Sequence, residues 1–138
     1  MKRRAKRSGN PSVRAGIALL LLILLSGPFE AFASGGDELV SLARAGSRVL
    51  IADFGLGMCR QCKAQAEILV KIKEAYKDKV AVRMVHVNKE RSLAARYRVE
   101  TIPHLVFFDP SGSVALRKTG VMDYEEISGQ LSRMGVTP

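Results

Sequence analysis

The stretch Val49-Leu50-Ile51-Ala52-Asp53-Phe54-Gly55-Leu56-Gly57-Met58-Cys59-Arg60-Gln61-Cys62 decides the reading of this chain. Its first six residues are apolar apart from Asp53, the pattern of a strand buried on both faces. Gly55 and Gly57 then break the run as a loop. Residues 59–77 follow without a Gly or Pro, and Ala66, Leu69, Val70, Ile72 and Tyr76 recur as an apolar side at helical spacing. The two cysteines therefore open a helix directly after a buried strand.

That placement has chemical consequences. The first turn of a helix has unpaired N–H groups and the positive end of the macrodipole, so it favours negative charge. Thiolate is the nucleophile in disulfide exchange, and helix N-termini lower thiol pKa values. Side chains three apart share a face, so the two sulfurs can meet. Cys59, at the exposed lip, is expected to attack; Cys62, one turn in, is expected to resolve, and the two to form the redox disulfide. Arg60 adds a positive charge that favours the thiolate further. A structural bridge would close only a two-residue gap, where little entropy is gained. A zinc site would need further ligands, and the chain has only two Cys and two His, His86 and His104.

Working outward, Val80 to Val87 reads as a second strand. Strand, helix and strand at this spacing form a right-handed βαβ unit with parallel strands. Before it, Asp37 to Ala45 reads as a short helix capped by Asp37, with Leu39, Val40, Leu42 and Ala43 inward and Gly46 ending it. After it come a helix over Lys89–Tyr97, a break at Thr101-Ile102-Pro103 and a strand over Leu105–Phe108. Asp109-Pro110-Ser111-Gly112 marks a turn into Val114–Thr119, and Asp123 caps a last helix running to Met134, with Ile127 and Leu131 inward. The expected architecture is an α/β/α sandwich of three layers around a central mixed sheet.

Residues 1–33 read as a signal peptide: six basic residues, a Leu-rich run from Ala15 to Leu25, the breakers Ser26-Gly27-Pro28 and the small-x-small pattern Ala31-Phe32-Ala33. Cleavage is expected before Ser34, leaving one domain over 34–138. The run is short of the roughly 20 residues of a membrane span; an uncleaved anchor is the alternative, and then the only membrane contact. Arg3-Arg4 is followed by Lys6 where a twin-arginine signal has an apolar residue, which favours the general export route. The chain carries 22 Lys and Arg against 13 Asp and Glu; six of the basic and one of the acidic residues fall in 1–33, leaving 16 against 12, a net of +4. With no basic cluster interleaved with aromatics, nucleic-acid binding is not indicated.

These residues resemble the thioredoxin family over nearly the whole of 34–138. Beyond the Cys-x-x-Cys pair, Asp53 lies six residues before Cys59, where thioredoxins carry a buried acid. Thr101-Ile102-Pro103 looks like the family's cis-proline segment, and Gly120 fits its glycine after the last strand. The resemblance implies that Pro103 is cis and that Ile102 offers its backbone to an extended substrate, as in strand addition. It implies that Asp53, if buried, takes the proton of Cys62. Met58 stands where the family usually has an aromatic, Arg60-Gln61 where it has Gly-Pro, and Met84 where it has a lysine beside the acid. Ile102, Met58 and His104 are the expected substrate contacts, with His104 either near Cys59 or turned away from it. The implied activity is an exported (periplasmic or secreted) protein disulfide oxidoreductase, reductase-like by Ile102. It would act as a monomer without an organic cofactor or resident metal, on disulfides of exported proteins, fed by a membrane thiol donor. A disulfide oxidase or isomerase, and a copper-chaperone-like module binding through Cys59, Cys62 and His104, are the alternatives.

Overall fold

The computed structural model describes residues 37–138. The expected signal segment, 1–33, lies outside them.

The apolar run becomes β1 (Val49–Gly55), buried at every position. It is central because both neighbours pair with it: β2 (Val80–His86) in parallel, Val49 opposite Val80 through Gly55 opposite His86, and β3 (His104–Phe108) antiparallel, Leu50 opposite Phe108 and Phe54 opposite His104. β4 (Val114–Thr119) pairs with β3 as a hairpin carrying a register shift at Phe107/Phe108. The strand order is β2-β1-β3-β4.

Side chains alternate across a strand, so β1 supplies two cores. Val49 and Ile51, with Leu105 and Phe107, face α2 (Arg60–Tyr76) and α4 (Tyr124–Arg133) through Leu69, Ile72, Ile127 and Leu131. Leu50, Ala52 and Phe54, with Val106 and Phe108, face α1 (Glu38–Gly46) and α3 (Arg91–Arg96) through Leu39, Ala43, Ala94 and Tyr97. Two helices cover each face, giving the expected three layers. Phe54, Phe107 and Phe108 are each fully buried, worth roughly 1.5–3 kcal/mol apiece.

The helix starts follow local chemistry. Asp37 accepts from Leu39 N–H to cap α1, and Asp123 with Glu126 forms a reciprocal capping box at α4. Several expectations are corrected. Leu42 and Val70 are 43% and 56% exposed, outside the buried stripes of their helices. The helix expected over 89–97 spans Arg91–Arg96, because Lys89 and Glu90 N–H both turn back to the His86 carbonyl. Cys59 and Lys77 flank α2 as its caps rather than belonging to it.

Candidate functional site

The site is built at the C-terminal end of β1, where the chain leaves the sheet and enters α2. Cys59 is the N-cap of α2: its Sγ accepts the Cys62 backbone N–H at 3.2 Å. A sulfur that satisfies an orphan helix donor is better placed as an anion than as a neutral thiol. Its pKa is lowered accordingly, first by the Cys62 thiol and then by the backbone N–H groups of Cys62 and Gln61. These local donors, rather than Arg60, supply the lowering that the sequence suggested. Cys62, only 3% exposed, is pushed the other way by burial and by donating to Cys59. The two thiols are thus unequal, one poised to ionise and one held protonated.

Below them sits Asp53. Its register partners are Met84 and Leu105, and it shares the face of β1 that carries Val49 and Ile51 toward α2. The side chain is fully buried, and neither carboxylate oxygen has a hydrogen-bond partner. Desolvation raises its pKa from 3.8 to about 7, which is the predicted direction for an acid without a counter-charge. Its charge also raises the pKa of both cysteines, so all three groups lie within electrostatic reach. Met84, in register with Asp53, brings no charge to offset it.

The Ile102–Pro103 peptide is cis. The pairing of Phe54 with His104 puts Pro103 at the same end of the sheet as Gly55 and the cysteine loop. The Pro103 carbonyl accepts from Gly120 N–H at 2.9 Å, with Gly120 at φ +88°, a conformation that glycine adopts without a side-chain clash. Among the described residues, no loop or turn backbone hydrogen bond uses the N–H or carbonyl of half-buried Ile102. Met58 is 95% exposed beside Cys59.

His104 takes one of its two expected orientations. It shares the β3 face of Val106 and Phe108, turned away from α2. Its ring meets the edge of Phe54 at 6.4 Å, and Nδ1 pairs with Thr119 Oγ1 at 2.9 Å. Burial and the nearby Arg117 lower its pKa. Of the two orientations the sequence left open, the ring takes the one directed at Phe54 and Thr119, which does not suit a copper site shared with Cys59 and Cys62. Among the described residues, no three His, Cys, Asp or Glu side chains converge where a metal could sit.

Two positions escaped sequence reasoning. A Cβ on Gly55 would lie 3.2 Å from Cys62 Cβ and 3.3 Å from its Sγ, so the strand's last residue must be small for Cys62 to fit. Gln65 is fully buried and holds Met122 by both backbone groups, donating to its carbonyl at 3.3 Å and accepting from its N–H at 2.7 Å. The glycine had a sequence signal, since it directly follows the apolar run Val49–Phe54; the glutamine had none.

The family model for thioredoxin matches residues 37–133 of the 138-residue chain. The chain belongs to the thioredoxin family. Among curated relatives, the thiol:disulfide interchange protein TxlA homolog of Synechocystis is 32% identical over 75 residues, 53% of this chain and 42% of that longer protein. A thioredoxin of Alicyclobacillus acidocaldarius is 26% identical over 87 residues, 63% of this chain and 82% of that one. Thioredoxin 1 of Chlorobaculum tepidum is 28% identical over 91 residues, 66% and 89% of the two chains. Among solved structures, chloroplastic thioredoxin z superposes with a TM-score of 0.63 at 24% identity, covering 71% of this chain and 88% of that one, which speaks to the fold alone. In this thioredoxin-family domain, the unequal thiols and the buried acid are a set suited to thiol–disulfide exchange.

Proposed function

We propose that this protein is an exported thiol–disulfide oxidoreductase that reduces disulfides of exported proteins. Family membership and the relatives' thioredoxin and interchange chemistry support the oxidoreductase part. The observation that carries it is the pairing of Cys59 as a helix cap of lowered pKa with Cys62 above a buried, unpartnered carboxyl.

The Cys59 thiolate attacks one sulfur of the client disulfide. That S–S bond breaks, a mixed disulfide forms, and the departing client thiolate takes a proton from water. Asp53 as carboxylate accepts the proton of Cys62, for which a pKa of about 7 is well matched near neutral pH. The Cys62 thiolate attacks Cys59 Sγ and expels the second client thiolate. Two electrons have moved to the client, and Cys59–Cys62 is left as a disulfide. The Ile102 backbone, which makes no hydrogen bond with another loop or turn among the described residues, supports a role in pairing with the extended client segment. The basic, Leu-rich residues 1–33 support export, so the electrons that restore the dithiol come from a thiol donor in the membrane.

The test is the reduction potential of the Cys59–Cys62 pair, equilibrated against glutathione or dithiothreitol. A value well below about −220 mV fits a reductase; one near about −120 mV makes the protein an oxidase and overturns the direction. Export is checked by N-terminal sequencing of the protein from the periplasmic fraction. Ser34 is expected as the first residue, and recovery only from the cytoplasm with Met1 intact overturns it.

A further inference from the structure

Beside Cys62 lies a side pocket of about 70 Å³. It opens between the first two turns of α2 and the end of β2. Gly55 and Leu56 close one side, Cys62 and Ala66 another, and Met84 a third. Cys62 and Ala66 are four residues apart on one helix face, and Met84 and His86 alternate onto the same face of β2. The exposed residues Lys63 and His86 border it. The surface inside is almost wholly carbon and sulfur, so an ordered water would find too few polar partners there. An apolar occupant fits better. A dry cavity of about 150 Å³ takes a benzene ring; a pocket of half that size suits an isopropyl or isobutyl group.

We propose that this pocket takes an aliphatic side chain of the substrate polypeptide, one flanking the cysteine captured by Cys59, so that Gly55, Ala66 and Met84 set substrate preference. The occupant follows from position. Cys62 Sγ must reach the mixed disulfide on Cys59, and Cys62 is itself a wall of the pocket. A polypeptide joined to Cys59 is thus held next to a residue that lines the pocket, which makes it the occupant nearest to hand. The pocket exists because β1 ends in glycine: a side chain at position 55 would start in contact with Cys62 and occupy the space. Met58, next in sequence to the pocket's Gly57, is 95% exposed.

This inference rests on the disulfide-reductase reading, and the test separates the two. Two disulfide peptides are compared that differ only at the residues flanking the reactive cysteine, leucine in one and glycine in the other. The reduced protein is expected to react with the leucine peptide about tenfold faster, the usual scale for filling a small apolar pocket. In Ala66→Leu, which fills the pocket from the helix side, the ratio between the peptides is expected to fall close to one, whatever the absolute rate. Ala66→Val gives a smaller loss in the same direction. Equal rates for the two peptides with the unaltered protein overturn the pocket while leaving the oxidoreductase reading intact, and so does an unchanged ratio in both variants. If neither peptide is reduced, the oxidoreductase reading fails and the pocket's role with it.

Discussion

Asp53→Asn is expected to make the reduced protein more stable at pH 9 while leaving its stability at pH 4 nearly unchanged. The carboxyl titrates at 3.8 when exposed and at about 7 in the fold, because burial penalises its charged form. Between these values the native state holds a proton that the unfolded chain has released. Raising the pH through that window therefore costs stability, fully so above about pH 7. At 1.36 kcal/mol per pH unit, the gap from 3.8 to about 7 amounts to about 4 kcal/mol. Asparagine is nearly isosteric and never ionises. Neither carboxylate oxygen has a protein partner, so no hydrogen bond is lost on substitution. With a urea slope of about 2 kcal/mol per M, the variant's midpoint should exceed that of the unaltered protein by about 2 M at pH 9. The difference should shrink toward zero as the pH falls to 4. Groups such as Asp109, held low by its Ser111 and Ser113 hydrogen bonds, affect both proteins alike and cancel in the comparison. Parallel stability profiles from pH 4 to 9, or a variant less stable at pH 9, would refute the claim that Asp53 is a buried, uncompensated acid.

Three further outcomes follow from the same geometry. Met84→Lys places a cation in register with Asp53, and an opposite charge nearby lowers an acid's pKa by roughly 1–3 units; the pH dependence of stability should move down by at least about one unit, and a midpoint still near 7 would contradict this. In the reduced protein at pH 7, iodoacetamide should modify Cys59 roughly tenfold or more faster than Cys62, since the one thiol is lowered and only half-buried and the other raised and buried; peptide mapping that finds Cys62 modified first reverses the assignment of roles. Gln65→Ala strands the Met122 N–H and carbonyl inside the protein, which costs about 3 kcal/mol and lowers the Tm by about 15 °C for a domain of this size; a melting temperature within a few degrees of the original would show that water or a rearranged loop replaces the amide.

Where sequence reasoning worked and where it failed has a physical pattern. β1 was legible because a strand buried on both faces must be continuously apolar, and Asp53 stood out against that background. The helix starts at residues 38 and 124 were legible because Asp37 and Asp123 are capping residues acting on their own turns. The cysteine spacing was readable for the same local reason. Failures began where a side chain's environment depends on a distant segment. Leu42 and Val70 are apolar yet lie off the faces that the sheet covers. Gln65 is polar yet buried, because its partner is the backbone of Met122, 57 residues away. His104 was undecidable from sequence, since one residue of register chooses between the α2 face and the face of Phe54 and Tyr97. The role of Asp37 was half visible: its cap is local, but it also accepts from the Tyr97 hydroxyl at 2.6 Å.

In the proposed cycle, the sulfur that caps α2 is also the sulfur that attacks the client disulfide. The preferred helix caps are serine, threonine, aspartate and asparagine, whose oxygen stays in place for the life of the protein. In that cycle the acceptor is used up and restored at every turnover. As a thiolate it grips the Cys62 N–H strongly, a charge-assisted bond; once bound to a client or to Cys62 it is a neutral, weak acceptor. The first turn of α2 is therefore firmest before capture and loosest during it, when Cys62 has to move toward Cys59. On the proposed mechanism, the helix end is a latch that the substrate itself releases.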